Sequence, residues 1–338
     1  LTAEEKKKGI IASSAGNHAQ GVAWAAKRLG VTAEIVMPNN APLVKIVATE
    51  KLGAKVILEG DIYDQAFEHA LRLEKEHHRI FVHPYNDPLI IAGQGTIGLE
   101  ISEEIKDLES IVVSIGGGGL ISGIAIAVKS INPKCRVYGV QAENMSGMSQ
   151  LFRNEPARPT RRTIADGIAV KAPTPAMYDK HISKLVDDIV TVGENEIAEA
   201  IVFLLEKEKS VAEGAAAATV AAVMSGRLKL GKKSCVVLSG GNIDTNIIAE
   251  VIERGLMSRG RLARFALVVD DIPGTLSRIA DIFAKNRANI LQVEHDRLST
   301  QLDVKETRMD FLVETKSPSH IAEIRNGLQQ PGIRLIES

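Results

Sequence analysis

The run Ile111-Val112-Val113-Ser114-Ile115 leads directly into Gly116-Gly117-Gly118-Gly119-Leu120, and a helical pattern follows. Four adjacent glycines lose much backbone entropy on folding, so structure alone rarely selects them. They permit positive φ and let backbone N–H groups come close to an anion. The helix start behind them adds unpaired donors and the positive end of a dipole. Together these parts make a phosphate cradle. Spacing narrows the ligand. Counted from Gly117, the sixth position of a G-x-G-x-x-G loop is Ser122, which disfavours a dinucleotide even though Glu143 lies at a tolerable distance for a ribose. No Gly-Lys-Ser/Thr follows, so this is not a Walker loop. A monophosphate without a magnesium partner fits best; a plain strand-to-helix turn is the alternative without chemistry.

Two further loops close strand-like runs with small polar residues. Ile10-Ile11-Ala12 leads into Ser13-Ser14-Ala15-Gly16-Asn17-His18-Ala19-Gln20-Gly21, and Val236-Val237-Leu238 leads into Ser239-Gly240-Gly241-Asn242. Open α/β sheets bind ligands at the carboxyl ends of their strands. Free N–H groups from Ser14 to His18 suit a substrate carboxylate, and the Asn17 amide suits a phenolic oxygen. Simple capping by Ser14 or Asn17 is the plainer reading, and a lone His18 is more often structural than catalytic.

The elements that must position these loops alternate. Strands are expected at Gly9–Ala12, Ala33–Met37, Lys55–Glu59, Ile80–Val82, Ser110–Ile115, Arg136–Gln141 and Ser234–Leu238. Helices are expected at His18–Leu29, Leu43–Leu52, Ile62–Glu76, Gly95–Lys106, Leu120–Ser130, Ile197–Glu208, Gly214–Ser225 and Thr245–Arg254. Arg153–Lys171, rich in Arg and Pro, reads as a surface loop. The β-α-β-α rhythm implies mostly parallel sheets with helices on both faces. Past a linker at Ser258–Arg261 the order becomes β-α-β-β-α-β, from Leu262–Val269 to Ile333–Ile336, which is the ferredoxin-like arrangement.

Composition sets limits. The 338 residues carry a formal net charge of −1, so nothing points to nucleic acid. Cys135 and Cys235 form neither a disulfide framework nor a metal-ligand spacing, which suits the cytoplasm. No apolar run reaches the roughly 18 residues that span a membrane, so no membrane partner is expected.

Taken together, Ala12–Gly21, Gly116–Gly119 and Ser239–Asn242 resemble the fold-type II pyridoxal-phosphate (PLP) enzymes, and within them the threonine ammonia-lyases (threonine dehydratases). Ala92-Gly93-Gln94-Gly95-Thr96, Ala165-Asp166-Gly167 and Glu213-Gly214-Ala215 extend the resemblance, which runs from Leu1 to about Arg259. It implies two open parallel-sheet α/β subdomains, 1–90 and 91–259, holding pyridoxal 5'-phosphate. Gly116, Gly117, Gly118, Gly119 and Leu120 would bind its phosphate, Asn17 its phenolic oxygen, and Ser239, with Gly240, its pyridine nitrogen. Ser14, Ala15, Asn17 and His18 would surround the substrate carboxylate. A serine hydroxyl cannot hold a pyridinium charge as an aspartate would. The ring then draws fewer electrons from the substrate's α-carbon, which favours loss of the β-hydroxyl. Serine racemase resembles the chain too, but carries a serine at the Ala15 position; Ala15 has no acid–base group, which favours elimination over racemisation. Gln141 stands where a related racemase has a metal-binding glutamate, and no metal is expected.

One part of that family's chemistry has no residue here. The Schiff-base lysine lies upstream of the Ser-Ser-Ala-Gly-Asn-His loop in the family, in a Ser-Phe-Lys-x-Arg-Gly context. Upstream of that loop the chain has only Lys6, Lys7 and Lys8, in a charged run expected to face water. The chain opens with Leu1 inside an apparent helix capped by Thr2, so the lysine is expected to precede Leu1. A non-catalytic PLP or amino-acid sensor is the alternative.

Phe265–Leu276, with its Asp271-Ile272-Pro273-Gly274 turn, and Asn289-Ile290 resemble an ACT domain covering 260–338. The resemblance implies an amino-acid effector, isoleucine or valine, bound by Asp271, Ile272, Pro273, Gly274, Asn289 and Ile290. It also implies pairing of such modules in a homo-oligomer, a dimer or tetramer; a purely structural dimerisation role is the alternative.

Overall fold

The computed structural model describes residues 1–297 and 302–336. The chain packs as two units, 1–247 and 248–338, and the break falls inside the helix Thr245–Ser258.

In the first unit, β1 (Ile10–Ser13), β2 (Ala33–Met37), β3 (Lys55–Leu58) and β4 (Ile80–Phe81) form a parallel sheet in the order β3-β2-β1-β4. The two central strands are buried along their whole length, which is why they read as continuous apolar runs rather than alternating ones. Alternate side chains serve opposite faces. Ile10 and Ala12 pack with Ala19, Val22, Ala23 and Ala26 of helix Asn17–Leu29. Ile11 and Val36 pack with Ala66, Ala70 and Leu73 of helix Tyr63–His77.

A second parallel sheet holds β5 (Ser110–Ser114), β6 (Arg136–Ala142), β7 (Asp188–Val192) and β8 (Ser234–Val236), in the order β7-β6-β5-β8. Ile111, Val113 and Ile115 pack with Ile121, Ile124 and Val128 of helix Gly119–Ile131. The alanine-rich helix Gly214–Met224 lies against β5, β6 and β7.

Some expectations shift. β7 has no counterpart in the sequence reading; its Ile189-Val190-Thr191-Val192 run is short and opens on an acidic residue. β8 stops at Val236 rather than Leu238, and Leu238 is exposed. The helix expected from Gly95 is Pro88–Glu104. Asp87 caps it by accepting from the Leu89 and Ile90 N–H groups at 2.7 and 3.2 Å, and Pro88 suits its first turn. The stretch from Arg153 to Lys171 contains little beyond the turn Asp166–Ile168. Thr2 and Glu5 form a capping box on helix Ala3–Lys8, whose three lysines are exposed.

The second unit runs β9 (Leu262–Asp270), helix Thr275–Lys285, β10 (Asn289–Asp296), β11 (Glu306–Glu314), helix Pro318–Leu328 and β12 (Ile333–Ile336). Its strands form one antiparallel sheet in the order β10-β11-β9-β12. Ala263, Phe265, Leu267 and Val269 alternate inward from β9 and meet Met309, Phe311 and Val313 from β11. Phe283 joins the two strands, its ring 5.6 Å from Phe265 and 5.0 Å from Phe311.

Candidate active site

The tetraglycine loop leaves the carboxyl end of β5 and becomes the first turn of helix Gly119–Ile131. Gly118 takes a left-handed conformation at φ 96° as the residue before that helix, a state L side chains rarely adopt. Tyr85 explains the glycines beside it. A Cβ on Gly117 would lie 2.3–2.5 Å from three Tyr85 ring carbons, and one on Gly119 would lie 2.8 Å from the Tyr85 Cβ. Tyr85 is itself held by the preceding turn. Its N–H and that of Asn86 donate to His83 Nδ1 at 3.2 and 2.9 Å, and the two rings stack edge-on at 4.7 Å. Burial, with the neighbouring His18, holds His83 below the usual imidazole pKa. Among the described residues, the amides of Gly116, Gly117 and Gly118 have no acceptor.

The loop after β1 is partly committed to the fold. The Ser14 N–H donates to Val36 O at 3.2 Å and the Gly16 N–H to Ser14 Oγ at 3.1 Å. The expected row of free amides from Ser14 to His18 is therefore narrower: those of Ala15, Asn17 and His18 have no acceptor among the described residues. Burial lowers the pKa of His18, and its Nε2 lies 2.9 Å from Val82 O. Nε2–H donates there, which is a structural role.

Asn17 reaches across to the second sheet. Its Nδ2 donates to Glu213 Oε1 at 2.7 Å. Glu213 precedes helix Gly214–Met224, and its own N–H donates to Gly240 O at 3.1 Å in the loop after β8. Beside this pair, the largely buried Lys45 of helix Leu43–Lys51 makes an ion pair with Asp166. The loops after β1 and β8 are thus tied together, with Ser239 exposed next to Gly240. Several buried polar atoms without a hydrogen-bond partner lie at or near the same strand ends. Ser13 Oγ ends β1, Ser114 Oγ ends β5, Ser122 Oγ follows the glycine loop, and Asn242 Nδ2 lies in the loop after β8. Among the described residues no cluster of His, Cys, Asp and Glu could hold a metal ion.

Residues 1–240 match the family described as pyridoxal-phosphate dependent enzymes. The chain belongs to that family. PLP is therefore its cofactor. A pyridoxal-phosphate enzyme needs anion donors and polar partners around an aromatic ring, and the free amides and unpaired polar atoms at these strand ends fit that need. The chain is 49% identical over 334 residues to the L-threonine ammonia-lyase of Thermotoga maritima, covering 98% of this chain and 83% of that protein. The processed form of threonine deaminase isoform 2 from Solanum lycopersicum aligns with a TM-score of 0.69 at 35% identity, covering 75% of each chain. Maize serine racemase aligns with a TM-score of 0.69 at 32% identity, covering 76% of this chain and 80% of that one.

Three residues of this PLP-enzyme site were not singled out from sequence. Glu213 stood inside a recognised segment but without a role. Tyr85 had a usable signal, an aromatic residue in the polar stretch His83–Asp87. Lys45 had none.

In the second unit, Asp271–Gly274 follow β9 at the end where Asp270 faces Glu306. The Asp271 carboxylate meets Arg297 at 3.1 Å, and Gly274 takes φ 92° before the helix. Asn289 and Ile290 face Glu314 and Val313, at the opposite end of β11. Strand rise puts roughly 25 Å between the two groups within one chain.

Proposed function

We propose that the protein deaminates L-threonine, and L-serine, by eliminating water that is taken up again on hydrolysis, giving 2-oxobutanoate or pyruvate and ammonia. The observation that carries this reading is the likeness to a threonine ammonia-lyase across nearly the whole chain. PLP supplies an electron sink for the substrate's α-carbon. The chain's residues do the rest. Amides of Gly116 to Leu120 hold the phosphate, Asn17 donates to the phenolic oxygen, and Ser239, with Gly240 beside it, faces the pyridine nitrogen. The amides of Ala15, Asn17 and His18, with the Ser14 hydroxyl, orient the substrate carboxylate. Ala15 offers no proton to the opposite face of the α-carbon, which favours elimination over racemisation: the α-hydrogen and the β-hydroxyl are lost together as water. The released enamine tautomerises and takes up one water, so the net loss is ammonia.

No lysine of residues 1–338 is assigned to the cofactor. Lys6, Lys7 and Lys8 are exposed, and Lys45 is paired with Asp166. The test supplies the protein with PLP and L-threonine. Equimolar 2-oxobutanoate and ammonia are expected. D-Allothreonine from L-threonine, or D-serine when L-serine is supplied instead, without an oxo acid would favour the racemase reading, supported by the likeness to maize serine racemase. Bound PLP with neither product would favour a sensor.

The second unit we read as a ferredoxin-like ACT domain, on its element order and sheet order. Isoleucine or valine would bind between two copies, with Asp271–Gly274 of one meeting Asn289 and Ile290 of the other; the distance between these groups within one chain supports two copies. Calorimetric titration with isoleucine and valine is expected to show saturable heat together with a change in activity or oligomeric state. Titrations without either would leave only a dimerisation role. The two cysteines are free, and we place the protein in the cytoplasm.

A further inference from the structure

We propose that Glu213 is a positioning residue for the cofactor: its carboxylate fixes the Asn17 carboxamide so that the second N–H of that amide faces the phenolic oxygen. The inference rests on the reading that Asn17 meets that oxygen.

An asparagine amide presents an oxygen and a nitrogen of nearly equal size, and either end fits the same space. A neighbour that only accepts removes the ambiguity. Glu213 is such a neighbour when ionised, and it receives Asn17 Nδ2–H at 2.7 Å. That bond uses one of the two amide hydrogens and leaves the other, on the same nitrogen, as the donor for a ligand. Orientation by a carboxylate also strengthens the contact, because a hydrogen bond to a charged group is about twice as strong as one between neutral groups.

The surroundings hold Glu213 in place. Only 3% of the residue is exposed. Its N–H donates to Gly240 O, and the Asn242 N–H faces its carboxylate. Two donors thus converge on one side chain, a demand that suits the two acceptor oxygens of a carboxylate. A Cβ on Gly240 would lie 2.5 Å from Glu213 Oε1 and 3.1 Å from Asn17 Nδ2, so the loop after β8 presses on the pair. Burial pushes the Glu213 carboxyl upward and nearby Asp166 adds to this, while the bond from Asn17, the charge of Lys45 and the Asn242 N–H oppose it. Glu213 therefore links the loop on the phenolic side of the cofactor to the loop on its nitrogen side.

The test reads the cofactor's spectrum, not turnover. PLP is bound to the full chain, and the ionisation of its phenol is followed by absorbance across pH. Removing the Asn17 donor makes the phenolate less favourable, so Asn17→Ala is expected to move that ionisation to higher pH by about tenfold in its constant, the worth of one such hydrogen bond. Glu213→Gln is expected to move it in the same direction by a similar factor. The double variant is expected to move it no further, because the two residues act as one unit. Glu213→Asp keeps the charge on a shorter arm, and is expected to give a smaller shift of the same sign should the glutamine variant not fold. The inference is overturned if the Glu213 variants titrate like the unchanged protein while Asn17→Ala is shifted, or if the two shifts add. If the unchanged protein shows no saturable PLP spectrum, or if Asn17→Ala alone changes nothing, the placement of Asn17 on the cofactor fails and the role of Glu213 falls with it.

Discussion

Gly123→Val is expected to destabilise the first unit by more than about 3 kcal/mol, the upper range for overpacking a tight contact. The helices Pro88–Glu104 and Gly119–Ile131 meet backbone to backbone. A Cβ on Gly123 would lie 2.3 Å from Ile91 O and 2.7 Å from Gly95 N. Gly95 and Gly98 answer from the other helix: a Cβ there would lie 3.2 Å from Gly123 O and 2.8 Å from Ile124 O, respectively. Backbone cannot yield as a long side chain can, so the helices must separate. Their separation would also shift the glycine loop, since Gly119 opens the second helix. Gly93→Ala is the control. Gly93 lies in the same helix with nothing within 4 Å of its would-be Cβ, so the change is expected to be neutral or stabilising by up to about 1 kcal/mol. Urea denaturation of both variants separates close approach from helix propensity.

Glu34→Ala is expected to cost about 3–5 kcal/mol, as removal of one partner from a buried ion pair does. Glu34 lies in β2, 4% exposed, and meets three bases: Arg79 Nε at 2.9 Å, His77 Nδ1 at 3.0 Å and Lys55 Nζ at 3.4 Å. Lys55 is mostly exposed and contributes little. The Arg79 side chain is only 17% exposed, and without the carboxylate its charge keeps only neutral partners, the Thr32 hydroxyl at 3.0 Å and the Lys8 carbonyl at 3.5 Å. The network also fixes a pH dependence. Burial works to raise the Glu34 carboxyl, but the bonds and charges of His77, Arg79 and Lys55 outweigh it and hold it below its ordinary 4.5. A depressed carboxyl stabilises the fold above its unfolded value and loses that contribution as pH falls through its folded value. The unchanged protein is therefore expected to lose stability below about pH 4.5, and the variant, already weakened at neutral pH, to lose less over the same interval. Equal slopes in both would remove Glu34 from the acid response.

The features legible in the sequence are those written in local runs. Gly116–Gly119 announce a backbone site because four absent side chains have few other uses. The buried strands β1, β2 and β5 announce themselves as apolar runs between glycine or polar turns. Contacts between distant residues leave no such trace. Asn17 and Glu213 are 196 positions apart, and Lys45 and Asp166 are 121 apart. Neither spacing carries information, and only the folding of two sheets side by side joins them. The start of helix Pro88–Glu104 is obscured by Gly93, which reads as a loop residue before the expected start at Gly95. Gly95 and Gly98, inside the expected helix, serve a close helix crossing that sequence does not show. β7 is obscured by its brevity.

The central claim is that the loop after β5 is a phosphate cradle for PLP, and one titration meets it directly. The protein is titrated with PLP and, separately, with pyridoxal, which lacks only the phosphate, and binding is followed by absorbance and fluorescence. Amide donors and a helix start devoted to the phosphate are expected to make PLP bind at least about 100-fold more tightly than pyridoxal, the worth of two or more charge-assisted hydrogen bonds. Equal affinity for the two compounds, or displacement of PLP by a nicotinamide dinucleotide, would contradict the account.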